Sequence, residues 1–327
     1  MKAIVIPKFG GAEVLEMCEV PEPECGPEDL LVGVRATALN RADLLQRIGL
    51  YPQPGPQPAH DIPGLEYAGE VVSTGSRVSD FAVGDRVMGI LSGASYAEKV
   101  VTHHRLAVRV PENLSWREAA AIPEAFITAH DALSQCSLGC GESLLVHAVG
   151  SGVGAAAVQI ASVMGATPII GTARSPEKLA AARKLGLDVG IDYQSEDFAD
   201  ATRRATGGRG ADVIVDFIGA AYLERNVRAL ATCGRMIVIG MLGGLRAELD
   251  IGMLLAKRAS IRGTVLRARA LEEKAAATRA FEKAVLPHIA SGRIRPVVDS
   301  VFELARVAEA HRYMESNSNF GKIVLEV

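Results

Sequence analysis

The chain has 327 residues, 49% apolar and 22% charged, with a formal net charge of −3. That length favours two domains over one core, and the composition excludes a disordered or fibrous chain. A slightly acidic balance gives nucleic acid or an anionic membrane no electrostatic footing, and no apolar run is long enough to span a bilayer.

The five cysteines, at 18, 25, 136, 140 and 233, are odd in number and scattered. They fit a reducing cytoplasm better than a disulfide framework. The opening apolar run meets Pro7 too soon for a signal sequence. Short β-like runs follow at residues 2–6, 30–36, 70–73, 86–90 and 97–102, separated by Gly, Pro and Asp turns. They predict a compact, mostly β, barrel-like domain. The proline-rich residues 51–58 cannot enter a sheet interior and read as a surface loop, the kind that forms lids or site walls.

From about residue 116 the pattern changes. Residues 117–135 look like one helix with Ser115 as N-cap. Strand candidates at 143–148, 168–172, 189–193, 213–217, 236–240 and 261–265 then alternate with helices at 153–164, 176–185, 196–205, 222–231 and 251–257. Six strands and five crossings predict an α/β doubly wound parallel sheet of order 3-2-1-4-5-6. The tail differs: a helix at 271–290 with Pro287 near its end, a strand at 297–302, a helix at 304–315 and a strand at 322–327. We read it as returning to the first domain. The expected division is residues 1–125 with 267–327, and 126–266 inserted between them.

At the head of the insertion an apolar run stops at Gly150-Ser151-Gly152-Val153-Gly154, and a small-residue helix starts at once. Free backbone N–H groups and the positive helix end there suit a pyrophosphate. Two registers fit. Gly150, Gly152 and Ala155 match G-x-G-x-x-A; counted from the Gly152-Val153-Gly154 end, Ser151 replaces the second glycine. The second strand ends at Ala173-Arg174-Ser175-Pro176-Glu177-Lys178. An NAD site carries an acid at this strand end. Here Arg174 and Lys178 offer cations to a 2′-phosphate instead, which points to NADPH. Phe217 and Ile218, and Gly240 and Met241, fall at the carboxyl ends of strands four and five, where such sheets bind ligands.

The segments Ala38-Leu39-Asn40-Arg41-Ala42-Asp43-Leu44, Gly64-Leu65-Glu66, Gly84-Asp85-Arg86-Val87, Ala121-Ile122-Pro123-Glu124-Ala125, His147-Ala148 and Gly321-Lys322-Ile323-Val324 carry a resemblance along nearly the whole chain. The chain resembles the medium-chain dehydrogenase/reductase superfamily, in its zinc-independent quinone oxidoreductase branch, and most closely the p53-inducible quinone oxidoreductase type. The resemblance implies a Rossmann domain inserted into a GroES-like, mostly β barrel domain. It places Asn40 and Tyr51 beside nicotinamide and substrate, Thr128 at the nicotinamide amide and Tyr193 near the 2′-phosphate. Leu266 becomes a wall on the nicotinamide side, and Asn319 and Lys322 return to the cofactor, Lys322 toward a phosphate.

Where zinc-dependent relatives carry a ligand Cys, Asn40 stands three before Asp43, and Leu65 replaces the His of Gly-His-Glu. No four-cysteine lobe follows Val87. With two ligands replaced, no metal is expected. Neighbouring His103 and His104 point apart on a strand and make no chelating pair. Asp43 and Glu66 read as structural, or as supports for the site residues, rather than as acids that do chemistry.

The expected activity is hydride transfer from NADPH to a quinone or similar electron-poor acceptor, protonated by Tyr51 or water. Two alternatives stand beside it: an NADPH-dependent enoyl-thioester reductase, and a crystallin-like NADPH-binding protein with little turnover. A homodimer joined through the sixth-strand edges, near 261–265, is expected. Nucleic-acid and membrane partners are not.

Overall fold

The computed structural model describes residues 1–51, 53–55 and 58–327. Pro52, Pro56 and Gln57, within the proline-rich loop read from the sequence, lie outside the described residues. The chain divides into two compact units, Met1–Ile127 with Leu266–Val327, and Thr128–Val265. Leu266, expected at the end of the inserted domain, instead heads the returning segment.

In the first unit β1 (Lys2–Val5) pairs antiparallel with β2 (Glu16–Glu19). Strand β3 (Asp29–Ala38) turns Leu30, Val32, Val34 and Ala36 inward, the period-two pattern of a half-buried strand. It pairs antiparallel with β4 (Glu66–Thr74), which pairs with β5 (Arg86–Ile90). Strand β6 (Lys99–His103) covers the first half of β3, and β7 (Ala107–Arg109) closes on β5. Leu30, Val32, Tyr67, Val71, Val87 and Val100 fill the core between these strands.

Helix α1 (Arg41–Arg47) stands between β3 and β4, and its entry is fixed by the Asn40 N–H donating to Asp43 Oδ2 at 2.7 Å. Strand β2, helix α1 and strand β7 have no counterpart in the sequence reading. The first is largely exposed and lacks alternation, and the others are too short to show a period.

The single helix expected at 117–135 is broken. Helix α2 (Trp116–Ala120), capped by Ser115, gives way to a π-helical turn at Pro123–Ile127, and α3 (Thr128–Gln135) follows. Pro123 has no N–H to offer the α-helical ladder, so the chain re-registers there.

The second unit alternates strand and helix: β8 (Leu144–Val146), α4 (Gly152–Val163), β9 (Ile169–Ala173), α5 (Pro176–Arg183), β10 (Val189–Asp192), α6 (Phe198–Ala205), β11 (Ala211–Asp216), α7 (Leu223–Ala229), β12 (Leu230–Val238), α8 (Ile251–Lys257) and β13 (Ser260–Gly263). The strands lie parallel in the order β10-β9-β8-β11-β12-β13. That is the expected 3-2-1-4-5-6 arrangement. Leu145, Ile170, Ile191, Ile214 and Met236 form its core with Phe198 and Tyr222.

The returning segment rebuilds the first unit. The long helix expected at 271–290 divides into α9 (Leu271–Ala284) and α10 (Leu286–Ala290), with the break immediately ahead of Pro287. Strand β14 (Val298–Glu303), helix α11 (Val307–Glu315) and strand β15 (Lys322–Glu326) follow, and β15 pairs with the second half of β3. No helix among the described residues is long and apolar enough to cross a membrane.

Candidate functional site

In the second unit the site begins where β8 ends. Ala148 takes a left-handed conformation (φ 48°) and swings the chain into α4, whose N-cap Ser151 accepts the Gly154 N–H at 3.0 Å. A Cβ on Gly154 would lie 2.4 Å from the Ala148 carbonyl oxygen, so only glycine lets helix and turn approach this closely. Of the two registers, the structure thus gives Gly154 the close-packing role. The N–H groups of Gly152 and Val153 have no acceptor among the described residues and sit at the positive end of a 12-residue helix.

Beneath the turn His147 is buried, its Nδ1 3.0 Å from Thr172 Oγ1 and its Nε2 2.7 Å from Asn226 Oδ1. Burial depresses its pKa to about 4, so the imidazole is neutral at pH 7. Asp216, ending β11, accepts the N–H groups of Ile218 and Gly219; burial nonetheless raises its carboxyl to about 6. Phe217–Gly219 and Gly240–Gly244 are laced together, with the Gly243 N–H on Ile218 O at 2.7 Å and the Ala220 N–H on Gly244 O at 3.2 Å. A Cβ on Gly240 would fall 2.6 Å from Phe217 O. Phe217, Ile218, Gly240 and Met241 therefore lie together at the carboxyl ends of β11 and β12.

Arg174 follows the last residue of β9 and is exposed. Lys178 lies in the first turn of α5, where Ser175 caps its N–H. Tyr193 follows β10 and donates its N–H to Ala173 O, which puts it next to the strand end that carries Arg174. Thr128 opens α3, and its Oγ1 is buried without a hydrogen-bond partner among the described residues. A buried hydroxyl of this kind suits a hydrogen bond to a polar ligand atom. The turn, the laced loops and Thr128 offer donors of the kind a nicotinamide dinucleotide takes.

In the first unit a polar cluster gathers around Asn40. Its Nδ2 donates to Glu66 Oε1 at 2.9 Å, and its Oδ1 accepts from the Lys322 ammonium at 2.7 Å. Lys322 also donates to Leu39 O at 2.8 Å and meets Glu66 Oε1 at 2.7 Å. These contacts correct the expectation for Lys322: its three donors are used inside this unit, and none remains for a phosphate. Asn319 is buried alongside, donating to Gly321 O at 2.9 Å.

The second Glu66 oxygen accepts the Glu124 N–H at 2.8 Å. Fully buried Asp43 takes the Tyr96 hydroxyl at 2.9 Å and the Gly64 N–H at 3.2 Å besides Asn40, yet desolvation raises its pKa to about 6. Tyr51 lies under the Arg267 guanidinium, 4.9 Å from the ring centroid. Arg267 is nearly buried and donates to Tyr51 O at 3.0 Å, Ser92 O at 2.8 Å and Gln46 Oε1 at 2.7 Å. Burial, then the Glu124 carboxyl, raise the Tyr51 phenol above its ordinary value, while Arg267 lowers it.

Asn40, Tyr51 and Lys322 thus belong to one unit, with Glu66, Glu124 and Arg267 around them; Leu266 also belongs there, buried. From sequence alone Asp216 is not singled out, and Arg267 and Glu124 carry no role although both fall within recognised segments.

One further expectation is corrected. His103 and His104 do not point apart: β6 ends at His103, a 3₁₀ turn begins at His104, and the rings stack with centroids 4.9 Å apart. Beyond the end of α3, Cys136 is buried and Cys140 exposed. No group of three or more His, Cys, Asp or Glu among the described residues is placed to hold a metal ion.

Residues 26–112 match the family model described as alcohol dehydrogenase GroES-like domain, and residues 152–283 the one described as zinc-binding dehydrogenase. The chain is 33% identical to a quinone oxidoreductase of Lama guanicoe over 99% of its own length and 97% of the relative's. It is 37% identical to a segment of the pikromycin polyketide synthase component PikAII of Streptomyces venezuelae, covering 97% of this chain and 8% of that protein. Among solved structures, an NAD-dependent alcohol dehydrogenase superposes with a TM-score of 0.89 at 35% identity over 100% of both chains. A mycobacterial protein complexed with NADPH superposes with a TM-score of 0.88 at 28% identity, also over 100% of both.

Proposed function

We propose, on the premise that this chain belongs to the quinone oxidoreductase branch of the medium-chain dehydrogenase/reductase superfamily and is an oxidoreductase, that it reduces a quinone or similar electron-poor acceptor with NADPH and without a metal. The reduced nicotinamide supplies the hydride. The residues that would hold the coenzyme are Gly150–Gly154 at the pyrophosphate, Arg174, Lys178 and Tyr193 at the 2′-phosphate end, Phe217, Ile218, Gly240 and Met241 along the strand ends, and Thr128 at the carboxamide. Leu266 and Asn319 are assigned to the nicotinamide side. Asn40 and Tyr51 serve the acceptor, and Lys322 fixes Asn40.

One observation carries the metal-free reading. Asn40 occupies the position of a zinc ligand in the relatives that use one, and here the Lys322 ammonium sits 2.7 Å from its oxygen. A cation is already held there by Asn40 and Glu66, and a second would be repelled. Quinones tolerate the absence of a Lewis acid, because the oxyanions they form are stabilised by the aromatic ring. The protein then contributes orientation and a dry surrounding.

The test is NADPH oxidation, followed by absorbance, with an ortho-quinone and with crotonyl-CoA. We expect the quinone to be preferred, a chelator to leave the rate unchanged, and the Arg174→Ala, Lys178→Ala double variant to raise KM for NADPH about tenfold or more while leaving that for NADH in place. Equal use of NADH by the wild type would overturn the coenzyme assignment. The polyketide synthase relative favours a second reading, reduction of an enoyl thioester, with Tyr51 as proton donor. Preference for crotonyl-CoA would establish it. A homodimer and a cytoplasmic location belong to the same proposal.

A further inference from the structure

The polar cluster of the first unit contains three carboxyls, and two of them are fully engaged. Asp43 takes three donors: the Asn40 N–H, the Gly64 N–H and the Tyr96 hydroxyl. Glu66 takes Asn40 Nδ2 and Lys322 on one oxygen and the Glu124 N–H on the other. Glu124 differs. Its backbone is pinned to Glu66, but no described residue hydrogen-bonds its carboxyl. It sits on the π-helical turn with Pro123, Ala125, Phe126 and Ile127 buried around it, and it alone of the five keeps partial access to solvent. Insertions of this kind into a helix turn one side chain out of the regular ladder, and they recur at functional sites.

We propose that Glu124 is the proton donor to the acceptor's oxygen, a catalytic acid held by its backbone bond to Glu66 beside the Tyr51–Arg267 pair. The proposal rests on the quinone reductase reading given above.

The groups facing Glu124 come from every element around it. Asp43 on α1 and Glu66 on β4 are like charges; Lys322 on β15 and Arg267 ahead of α9 are opposite; Lys274 on α9 and Tyr51 complete the set. Desolvation comes first and Glu66 second in raising the Glu124 carboxyl to about 8, against the pull of Lys322 and Arg267. A carboxylic acid with that value is protonated at pH 7 and gives up its proton readily to a developing oxyanion. Tyr51, pushed up by burial and by Glu124 itself, is the weaker acid.

The step balances. The acceptor gains a hydride with its electron pair and is reduced as the coenzyme is oxidised. The Glu124 O–H bond breaks, an O–H bond forms on the acceptor oxygen, and the carboxylate left behind recovers its proton from water.

The test compares wild type, Glu124→Gln and Glu124→Asp, with circular dichroism confirming the fold and NADPH fluorescence measuring coenzyme affinity. Infrared difference spectra of wild type minus Glu124→Gln at pH 7, read without turnover, should show the carbonyl band of a protonated acid. With 9,10-phenanthrenequinone, Glu124→Gln should lower kcat about a hundredfold with NADPH affinity unchanged, and should remove the alkaline limb of the pH profile. Glu124→Asp should restore part of the rate. An ionised carboxyl at pH 7, or Glu124→Gln turnover with the wild-type rate and pH profile, overturns the donor role alone. If wild type binds NADPH and shows the band but leaves the quinone unreduced, the functional reading fails and takes the donor role with it.

Discussion

Two buried groups of the first unit show how single residues set its response to acid. Asp43 has a carboxyl raised to about 6 by desolvation, so its contribution to stability is complete below its unfolded value near 3.8 and is lost as pH rises through about 6. His311 runs the other way. Burial, with Arg47 beside it, depresses the imidazole to about 3. Its contribution is complete above 6.5 and is lost as pH falls toward 3. His311 Nδ1 pairs with Arg47 Nη1 at 3.2 Å, a role the amide oxygen of glutamine can fill. In His311→Gln the acid-labile part should vanish while Asp43 acts equally in both proteins. Urea unfolding between pH 6.5 and 5 should therefore show wild type losing about 2 kcal/mol relative to the variant; parallel curves would refute this. The same physics limits what a sequence discloses. Asn40 and Lys322 are each visible as candidates, but 282 positions separate them, and only the fold shows that they bond to each other rather than to a ligand. Glu124 lies within an apolar, helix-like run, and the desolvation that makes it an acid is a property of what packs around it.

At the scale of elements, the second unit was legible because its strands are apolar runs buried on both faces and its helices have clear caps and period. The first unit was less so. Short, exposed β2 and three-residue β7 leave no periodic trace, and Pro123 breaks a helix whose apolar spacing alone runs on. Helix α4 shows how narrow the tolerance is where a legible motif meets packing. Gly154→Ala would drive a methyl into the Ala148 carbonyl oxygen, and backbone must move to relieve it. Ser151→Ala removes only the N-cap bond to Gly154. Thermal unfolding should show Ser151→Ala costing about 1 kcal/mol and Gly154→Ala about 2–3 kcal/mol. Only the glycine variant should also weaken NADPH binding by tenfold or more, since it displaces the N–H groups of the turn. Equal effects of the two changes would mean that the close approach has no energetic weight.

For the whole molecule the question is what becomes of the last strand of the parallel sheet. Strand β13 ends the strand order, pairs with β12 on one side, and is largely exposed on the other. Natural edges are blunted by proline, bulges or charge; β13 reads Ser-Ile-Arg-Gly, with one charge at Arg262 and no proline. The chain flanking it leaves large apolar side chains in water: Ile251 and Leu255, the latter 71% exposed, on α8 ahead of it, and Val265 after it. A second copy related by a twofold axis would pair β13 with β13 antiparallel and cover these side chains in one step, closing both edges with one self-complementary contact. A stable interface needs roughly 1,000 Å² or more of buried surface, which strand pairing alone does not reach, so the apolar side chains must contribute. Sedimentation velocity should therefore find a dimer that persists on dilution. Leu255→Glu places a like charge from each copy at the seam without touching either unit's core, and should yield a monomer with an unchanged far-ultraviolet spectrum. A wild type that sediments as a monomer at every concentration, or a Leu255→Glu variant that dimerises as tightly as wild type, would show that this edge is not where the copies meet.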